Sequence, residues 1–164
     1  MSRVVEISGP AYRERLTSGT YVAIMHTDKT PPHLGLISEG KYYSLTSHES
    51  QVGIELEVIW RVLVSKGIHT LFIELNSAGN EALLVDSFSQ YKRAIPGKLT
   101  CLKPLKSYLN QHHSMNVGGV DFIFDLVERL HEYDLIVDAY QLNMEETVQD
   151  NQFQLKTYSM DDIY

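Results

Sequence analysis

The sequence predicts one α+β domain, residues 1–143, in which helices pack on a central antiparallel sheet. The chain has 164 residues, 43% of them hydrophobic and 21% charged, which suits a single globular domain with a hydrophobic core. A β-hairpin pattern spans residues 33–46. After it, segments with helical periodicity alternate with short apolar segments typical of strands. From Met144 the chain is polar and acidic, so residues 144–164 are expected to form a partly ordered tail.

The elements before the hairpin are predicted from prolines and β-branched residues. Pro10 suits the start of a helix, so a short helix is expected over residues 11–16. The run Thr20–Met25, TYVAIM, has the β-branched and aromatic content of a strand. Pro31 and Pro32 exclude helix after this strand and favour an extended path into the hairpin.

The hairpin has an internal register that the sequence predicts. Glu39 and Gly40 are the expected turn pair, because glycine readily adopts the positive φ that a tight turn requires. Ile37 then faces Tyr42, and cross-strand partners share one face of a sheet. The side chains expected on this face are His33, Gly35, Ile37, Tyr42, Ser44 and Thr46.

Periodicity and breakers define the remaining elements. Apolar residues recur at helical spacing in three segments, and Gly67 ends the first of them. The predicted elements are a helix over 51–65, a strand over 69–75, a helix capped by Asn76 or Ser77, a helix over 100–109, a helix over 120–133 and a strand over 135–142.

The single cysteine, Cys101, is the first candidate for chemistry. The segment GKLTCLKPLKSYL places it in the opening turn of a helix with Thr100 as N-cap. The exposed amides and the dipole of a helix start favour an anion, so the pKa of this thiol is expected to fall, and Lys98 and Lys103 can add to the effect. A thiolate is the nucleophilic form of cysteine. The alternative is a small, buried, unreactive side chain.

His33 is the second candidate, because it enters the sheet face that also carries Ser44 and Thr46. Histidine is the commonest general base in proteins, and a base needs a second polar group to hold its tautomer. The alternative is a surface histidine that follows a Pro-Pro turn. The sequence thus offers a Cys101–His33 pair with Ser44 or Thr46 as the orienting group.

Two segments resemble a known superfamily. PPHLGLISEGKYYSLT is similar to the histidine-containing hairpin of the NlpC/P60 papain-like superfamily, and AIPGKLTCLKPLKSYL is similar to its nucleophile segment, where the cysteine heads a helix. In the usual members the cysteine helix comes first. Here the histidine precedes the cysteine, as in the circularly permuted branch that includes lecithin:retinol acyltransferase-like enzymes. The resemblance covers roughly residues 20–112.

This resemblance implies a permuted papain-like fold and a cysteine-dependent hydrolase or acyltransferase. Cys101 would attack an amide, peptide or ester carbonyl to form a thioester, His33 would act as base, and no cofactor is implied. The family's third position lies on the strand after the histidine, where this chain has Ser44 and Thr46 in place of the usual His, Asn, Gln or Glu. Tyr21, on the preceding strand, is a candidate for stabilising an oxyanion or for a hydrogen bond near the cysteine.

Composition disfavours several other classes of function. The net charge of -7 and the scattered basic residues do not suit a nucleic-acid surface. One cysteine cannot form an intramolecular disulfide or a cysteine-rich zinc site. His26, His33 and His48 lack metal-motif spacing, so no metal site is predicted. The chain has no apolar run of the roughly twenty residues that span a bilayer and no signal-peptide pattern, so a cytoplasmic location is expected.

A non-catalytic protein-interaction or assembly protein with an inactive papain-like fold is the alternative function. The chain has ten tyrosines, and tyrosine is enriched at protein interfaces. Its last residues, YSMDDIY, are aromatic and acidic and could dock onto a partner. The sequence leaves open the substrate, the oligomeric state and the choice between these two functions.

Overall fold

Nine β-strands and five α-helices occupy the described part of the chain, residues 4–95 and 99–163, in this computed structural model. The strands are β1 (Val4–Glu6), β2 (Gly9–Pro10), β3 (Thr20–Met25), β4 (His33–Ser38), β5 (Lys41–Leu45), β6 (Ser50–Glu55), β7 (Thr70–Leu75), β8 (Ile136–Leu142) and β9 (Gln152–Gln154). The helices are α1 (Leu56–Ser65), α2 (Glu81–Ser89), α3 (Leu102–His113), α4 (Ile123–Glu132) and α5 (Met160–Ile163), and a 3-10 turn covers Arg15–Thr17.

A mostly antiparallel sheet organises the fold, which is therefore mixed α+β. Within the described residues, seven strands follow the order β2-β8-β7-β3-β4-β5-β6, and β2 with β8 is the parallel pair. The central strand β3 is buried along its whole length, in keeping with its apolar sequence TYVAIM. A second, small sheet pairs β1 with β9. No helix in the described ranges is long and apolar enough to cross a membrane.

The two faces of the larger sheet bury separate hydrophobic clusters, because successive side chains of a strand point to opposite faces. Helices α2, α3 and α4 cover one face with buried residues such as Phe88, Leu105 and Val127. Helix α1 and the 3-10 turn cover the other face through Leu56, Leu63 and Leu16; its strand residues include Tyr21, Ala23, Met25, Ile37 and Tyr42. Helix α3 therefore reaches the sheet from the face opposite α1.

The hairpin β4–β5 has the predicted register. Glu39 and Gly40 form the turn with φ values of 49° and 74°, and Ile37 pairs with Tyr42. The ladder ends at Gly35↔Ser44, so the further pairing expected between residues 33 and 46 is not formed. Tyr42 lies across Gly35: a Cβ on this glycine would stand 2.6 Å from Tyr42 Cε1.

Several predicted boundaries differ from the structure. The strand Thr20–Met25 is confirmed, whereas no α-helix forms over residues 11–16, which lie between β2 and the end of the 3-10 turn. Residues 50–55 are strand rather than helix, because Gly53, at φ 69°, introduces a bulge that keeps this segment in the sheet. Helix α2 is capped by Asn80, whose side chain accepts a hydrogen bond from Leu83 N–H at 3.0 Å, and not by Asn76 or Ser77.

The C-terminal segment also differs from the expected polar tail. Met144 is fully buried and Leu155 is 5% exposed, and both belong to the core on the α2–α4 side of the sheet. Strand β9 pairs with β1. A few well-spaced apolar residues thus suffice to hold a mostly polar segment against the domain.

Candidate active site

Cys101 occupies the N-cap of α3, one residue before the helix proper. Thr100, the predicted cap, precedes it, and Thr100 Oγ1 accepts a hydrogen bond from Leu102 N–H at 3.4 Å. The segment that leads to the cysteine is tied to the sheet, because Ala94 N–H donates to the carbonyl of Thr46 at 2.7 Å. This connection brings the start of α3 to the end of β5.

The thiol of Cys101 lies where the ladder between β4 and β5 stops. Leu34 directs its carbonyl toward β5, where it accepts a hydrogen bond from Ser44 Oγ at 3.4 Å. The Leu34 backbone also acts on the Cys101 thiol as a hydrogen-bond donor, which lowers the pKa of the thiol. The end of the ladder therefore supplies a backbone donor to the sulfur.

Burial raises the pKa of the Cys101 thiol to about 11, although hydrogen bonds from the Leu34 and Cys101 backbones act in the opposite direction. The lowered pKa predicted from the helix start is therefore wrong. A helix start contributes only about 0.3–1 kcal/mol to an anion, and enclosing a charged group costs more. Of the two lysines expected to help, Lys98 lies outside the described residues, and the charge of Lys103 does not overcome burial. Cys101 is half-buried as a residue and rests as a neutral thiol.

His33 begins β4, and its Nε2 lies 2.5 Å from Ser44 Oγ. Because the Ser44 hydroxyl donates to the Leu34 carbonyl, it accepts from Nε2–H. This network assigns the proton of the neutral ring to Nε2 and makes Nδ1 the acceptor nitrogen. Burial, followed by the nearby charge of His26, lowers the pKa of His33 to about 4.

Tyr42 completes a buried polar cluster beneath the imidazole. Its hydroxyl donates to Met25 Sδ at 3.5 Å. Burial raises the pKa of Tyr42 above its usual range and outweighs the Ser44 side chain, which lowers that pKa, so the Tyr42 hydroxyl stays protonated. The Ser44 hydroxyl itself has two partners, the Leu34 carbonyl and His33 Nε2.

Cys101 and His33 line the same cavity, whose volume is about 440 Å³. Thr46 also lines it, as do Met25, His26, Pro31, Pro32, Leu45, Ser47, Ala94, Leu99 and Thr100. The wall is mixed, with two histidines and hydroxyl groups beside proline and aliphatic side chains. It can therefore receive a small organic group beside the thiol and the imidazole.

Two of the predicted site residues have other roles in the structure. The Thr46 hydroxyl closes its own turn by accepting hydrogen bonds from the N–H groups of His48 and Glu49 at 3.2 and 3.0 Å. Tyr21 is at the other end of β3 from the cavity, where its hydroxyl donates to the Arg15 carbonyl at 3.1 Å. Ser44, and not Thr46, is therefore the partner of His33, and Tyr42 replaces Tyr21 as the tyrosine near the thiol.

Sequence reasoning missed two contributors to the site. The hairpin register places Tyr42 on the correct face, but the position of its hydroxyl depends on Gly35, across which its ring lies. The Leu34 N–H leaves no signal in a side-chain pattern. Among the described residues, no group of three or more His, Cys, Asp or Glu side chains is arranged to hold a metal ion, although His26 and His33 line one cavity.

Comparison of the chain with protein-family models finds no match. Comparisons with curated proteins and with solved structures find none either.

Proposed function

We propose that this protein is a cysteine-dependent hydrolase or acyltransferase that acts on an amide or ester. The observation that carries the proposal is that Cys101 and His33 line one cavity while Ser44 holds Nε2 of the imidazole. This arrangement supplies a nucleophile, a base and a group that orients the base. Nδ1 of His33 is the atom that accepts the thiol proton.

The pKa values of the two groups favour a neutral resting pair. With the pKa of Cys101 raised to about 11 and that of His33 lowered to about 4, a preformed thiolate and imidazolium would be unfavourable. The proton must then move from Sγ to Nδ1 as the sulfur attacks, so His33 acts as a general base in the transition state. This resembles the way a serine hydroxyl is activated by a neutral histidine.

The reaction proceeds in two balanced halves. The Cys101 sulfur bonds to the carbonyl carbon, its proton passes to His33, and the bond to the alcohol or amine breaks as His33 returns the proton to the leaving group. Water, or an acceptor alcohol or amine, then attacks the thioester. It gives its proton to His33, and the departing sulfur takes that proton back. The acid or transferred acyl product leaves with the thiol restored.

Backbone donors near the sulfur can stabilise the oxyanion. Hydrogen bonding from the Leu34 and Cys101 backbones favours the thiolate form of Cys101. A carbonyl carbon bonded to this sulfur would bring its oxygen close to the same donors, and fixed N–H groups are effective for this purpose. The Leu34 backbone, at the end of the β4–β5 ladder, would then have a direct role in the chemistry.

The proposal agrees with the resemblance to the permuted branch of the NlpC/P60 superfamily. A histidine hairpin precedes a cysteine at the start of a helix, and Ser44 holds the imidazole where members of that superfamily usually have a larger polar side chain. Serine is shorter, but the directly cross-strand position of Gly35 leaves room for the network around it.

The test is acylation by p-nitrophenyl acetate with intact-mass and peptide analysis. We expect one acetyl group per chain, bound at Cys101 and absent in Cys101→Ala. His33→Ala should slow acylation by about 10²–10⁴-fold. His48→Ala, which alters an exposed histidine of the neighbouring turn, is the matched control and should react like the unaltered protein. Absence of an acetyl group at Cys101, or equal rates for His33→Ala and the unaltered protein, would contradict the proposal.

A non-catalytic interaction or assembly protein is the second candidate. The observation that favours it is the raised pKa of Cys101, since an unreactive buried thiol is typical of structural cysteines. Of the segment YSMDDIY expected to dock onto a partner, Tyr158 packs inward against Phe122 and Phe124, and Tyr164 lies outside the described residues. A protein that takes up no acyl group at Cys101 would fit this second function.

A further inference from the structure

Cys101 also lines a second, smaller cavity of about 50 Å³. Its walls include Pro31, Pro32, Phe122 and Tyr158. These side chains present rings and hydrocarbon to the space, Leu102 and Ile123 add further hydrocarbon, and Thr100 and Asp121 are its polar lining residues. The thiol therefore stands between a larger, mixed cavity and a smaller, mainly apolar one.

The wall formed by Tyr158 is held in place by polar and aromatic contacts. Its hydroxyl accepts a hydrogen bond from Ile123 N–H, at the start of α4, at 3.0 Å. Its ring meets those of Phe122 and Phe124 edge to face, with centroid distances of 5.3 and 5.2 Å. Burial raises the pKa of Tyr158 to about 12, so the hydroxyl remains protonated. The cavity is thus bounded by an ordered wall.

The position of the base decides which part of a substrate enters which cavity. A general base that takes the thiol proton must return it to the leaving group, so the leaving group has to lie beside the imidazole. His33 lines the larger cavity and does not line the smaller one. The acyl side of the scissile bond is then left to the cavity that His33 does not line.

We propose that the smaller cavity is the acyl pocket and that it restricts the substrate to short, apolar acyl groups. This inference rests on the proposed function. A cavity of 150 Å³ accommodates one benzene molecule, so 50 Å³ has room for about two carbon atoms. Acetyl and propionyl groups fit this space, whereas longer chains meet Tyr158 and Phe122. The larger cavity then receives a leaving group of less restricted size.

The experiment compares single-turnover acylation by p-nitrophenyl acetate, butyrate and hexanoate. A methylene group that a pocket cannot accept costs about 10–200-fold in rate, so hexanoate should react at least about tenfold more slowly than acetate. Tyr158→Ala removes one wall of the smaller cavity. It should raise the ratio of the hexanoate acylation rate to the acetate acylation rate by about tenfold or more. Tyr158→Phe keeps the ring and should leave the ratio unchanged.

A ratio measured within one variant does not depend on the fraction of folded protein, so a loss of stability in Tyr158→Ala cannot mimic the expected result. Acylation of Cys101 with equal rates for all esters, or with a ratio that Tyr158→Ala leaves unchanged, would overturn the acyl pocket and leave the proposed function standing. Failure of every ester to acylate Cys101 would overturn both.

Discussion

His33 Nε2 and Ser44 Oγ are 2.5 Å apart, across a hairpin whose turn is Glu39–Gly40. The register pairs Ser44 with Gly35, two residues along the same face from His33. A local turn therefore decides which polar group reaches the imidazole. Ser44 is fully buried, so its hydroxyl bonds to protein groups, and Nε2 of the imidazole depends on it for a hydrogen bond.

Removing the Ser44 hydroxyl should destabilise the protein. Ser44→Ala leaves the Nε2–H of a half-buried ring and the Leu34 carbonyl without their partner. An unsatisfied buried group costs about 1–3 kcal/mol, and we expect a loss of this size in urea denaturation. Ser47→Ala, at an exposed position two residues beyond β5, should change stability by less than about 0.5 kcal/mol. Equal stability of Ser44→Ala and the unaltered protein would contradict the assigned network.

Gly35 and Tyr42 should be energetically coupled. A Cβ at position 35 would stand 2.6 Å from Tyr42 Cε1 and 2.9 Å from its hydroxyl oxygen, so Gly35→Ala forces this buried ring to move. Overpacking of this kind costs about 1–3 kcal/mol. In a Tyr42→Ala background the same substitution should cost much less, and a double-mutant cycle measures the difference. Equal costs in both backgrounds would show that the ring does not limit position 35.

The stability of the fold should fall in mild acid because of His33. The pKa of its ring is lowered from 6.5 to about 4 by burial, so between these values the unfolded chain binds a proton that the folded chain does not. The neutral His33 ring therefore makes its full contribution to the free energy of unfolding above pH 6.5. This contribution is lost as pH falls toward 4, and the free energy changes by at most about 1.4 kcal/mol per pH unit.

Denaturation at several pH values checks this dependence. His33→Gln should flatten the stability profile between pH 4 and 6.5. His48→Gln, which removes an exposed histidine, should keep it. An unchanged profile in His33→Gln would show that the ring does not titrate as its burial implies.

The thiol should react slowly with iodoacetamide in the folded protein. Burial raises the pKa of Cys101 to about 11, so little thiolate is present near neutral pH, and the alkylation rate should rise with pH up to that value. In urea the same thiol should react faster, with the behaviour of an ordinary cysteine. Faster alkylation of the folded than of the unfolded chain would contradict the raised pKa.

The hairpin could be predicted from the sequence because its signals are local. A two-residue turn with glycine fixes the register of β4 and β5, and that register placed His33 and Ser44 on one face. The raised pKa of Cys101 could not be predicted from the sequence, because it depends on burial between the start of α3 and the region of Leu34, which are distant along the chain. Strand β6 and the packed segment after Met144 were missed for a similar reason, since sheet pairing and core contacts override their local patterns.

The most direct test of the central claim is the pH dependence of Cys101 acylation by p-nitrophenyl acetate. If neutral His33 removes the thiol proton during attack, the rate should rise near pH 4 and stay level toward pH 11, where the thiol itself ionises. In His33→Ala the plateau should be lost, and the rate should instead rise about tenfold per pH unit with the thiolate fraction. A tenfold rise per unit in both proteins, with equal rates, would contradict the account, because Cys101 would then react without His33.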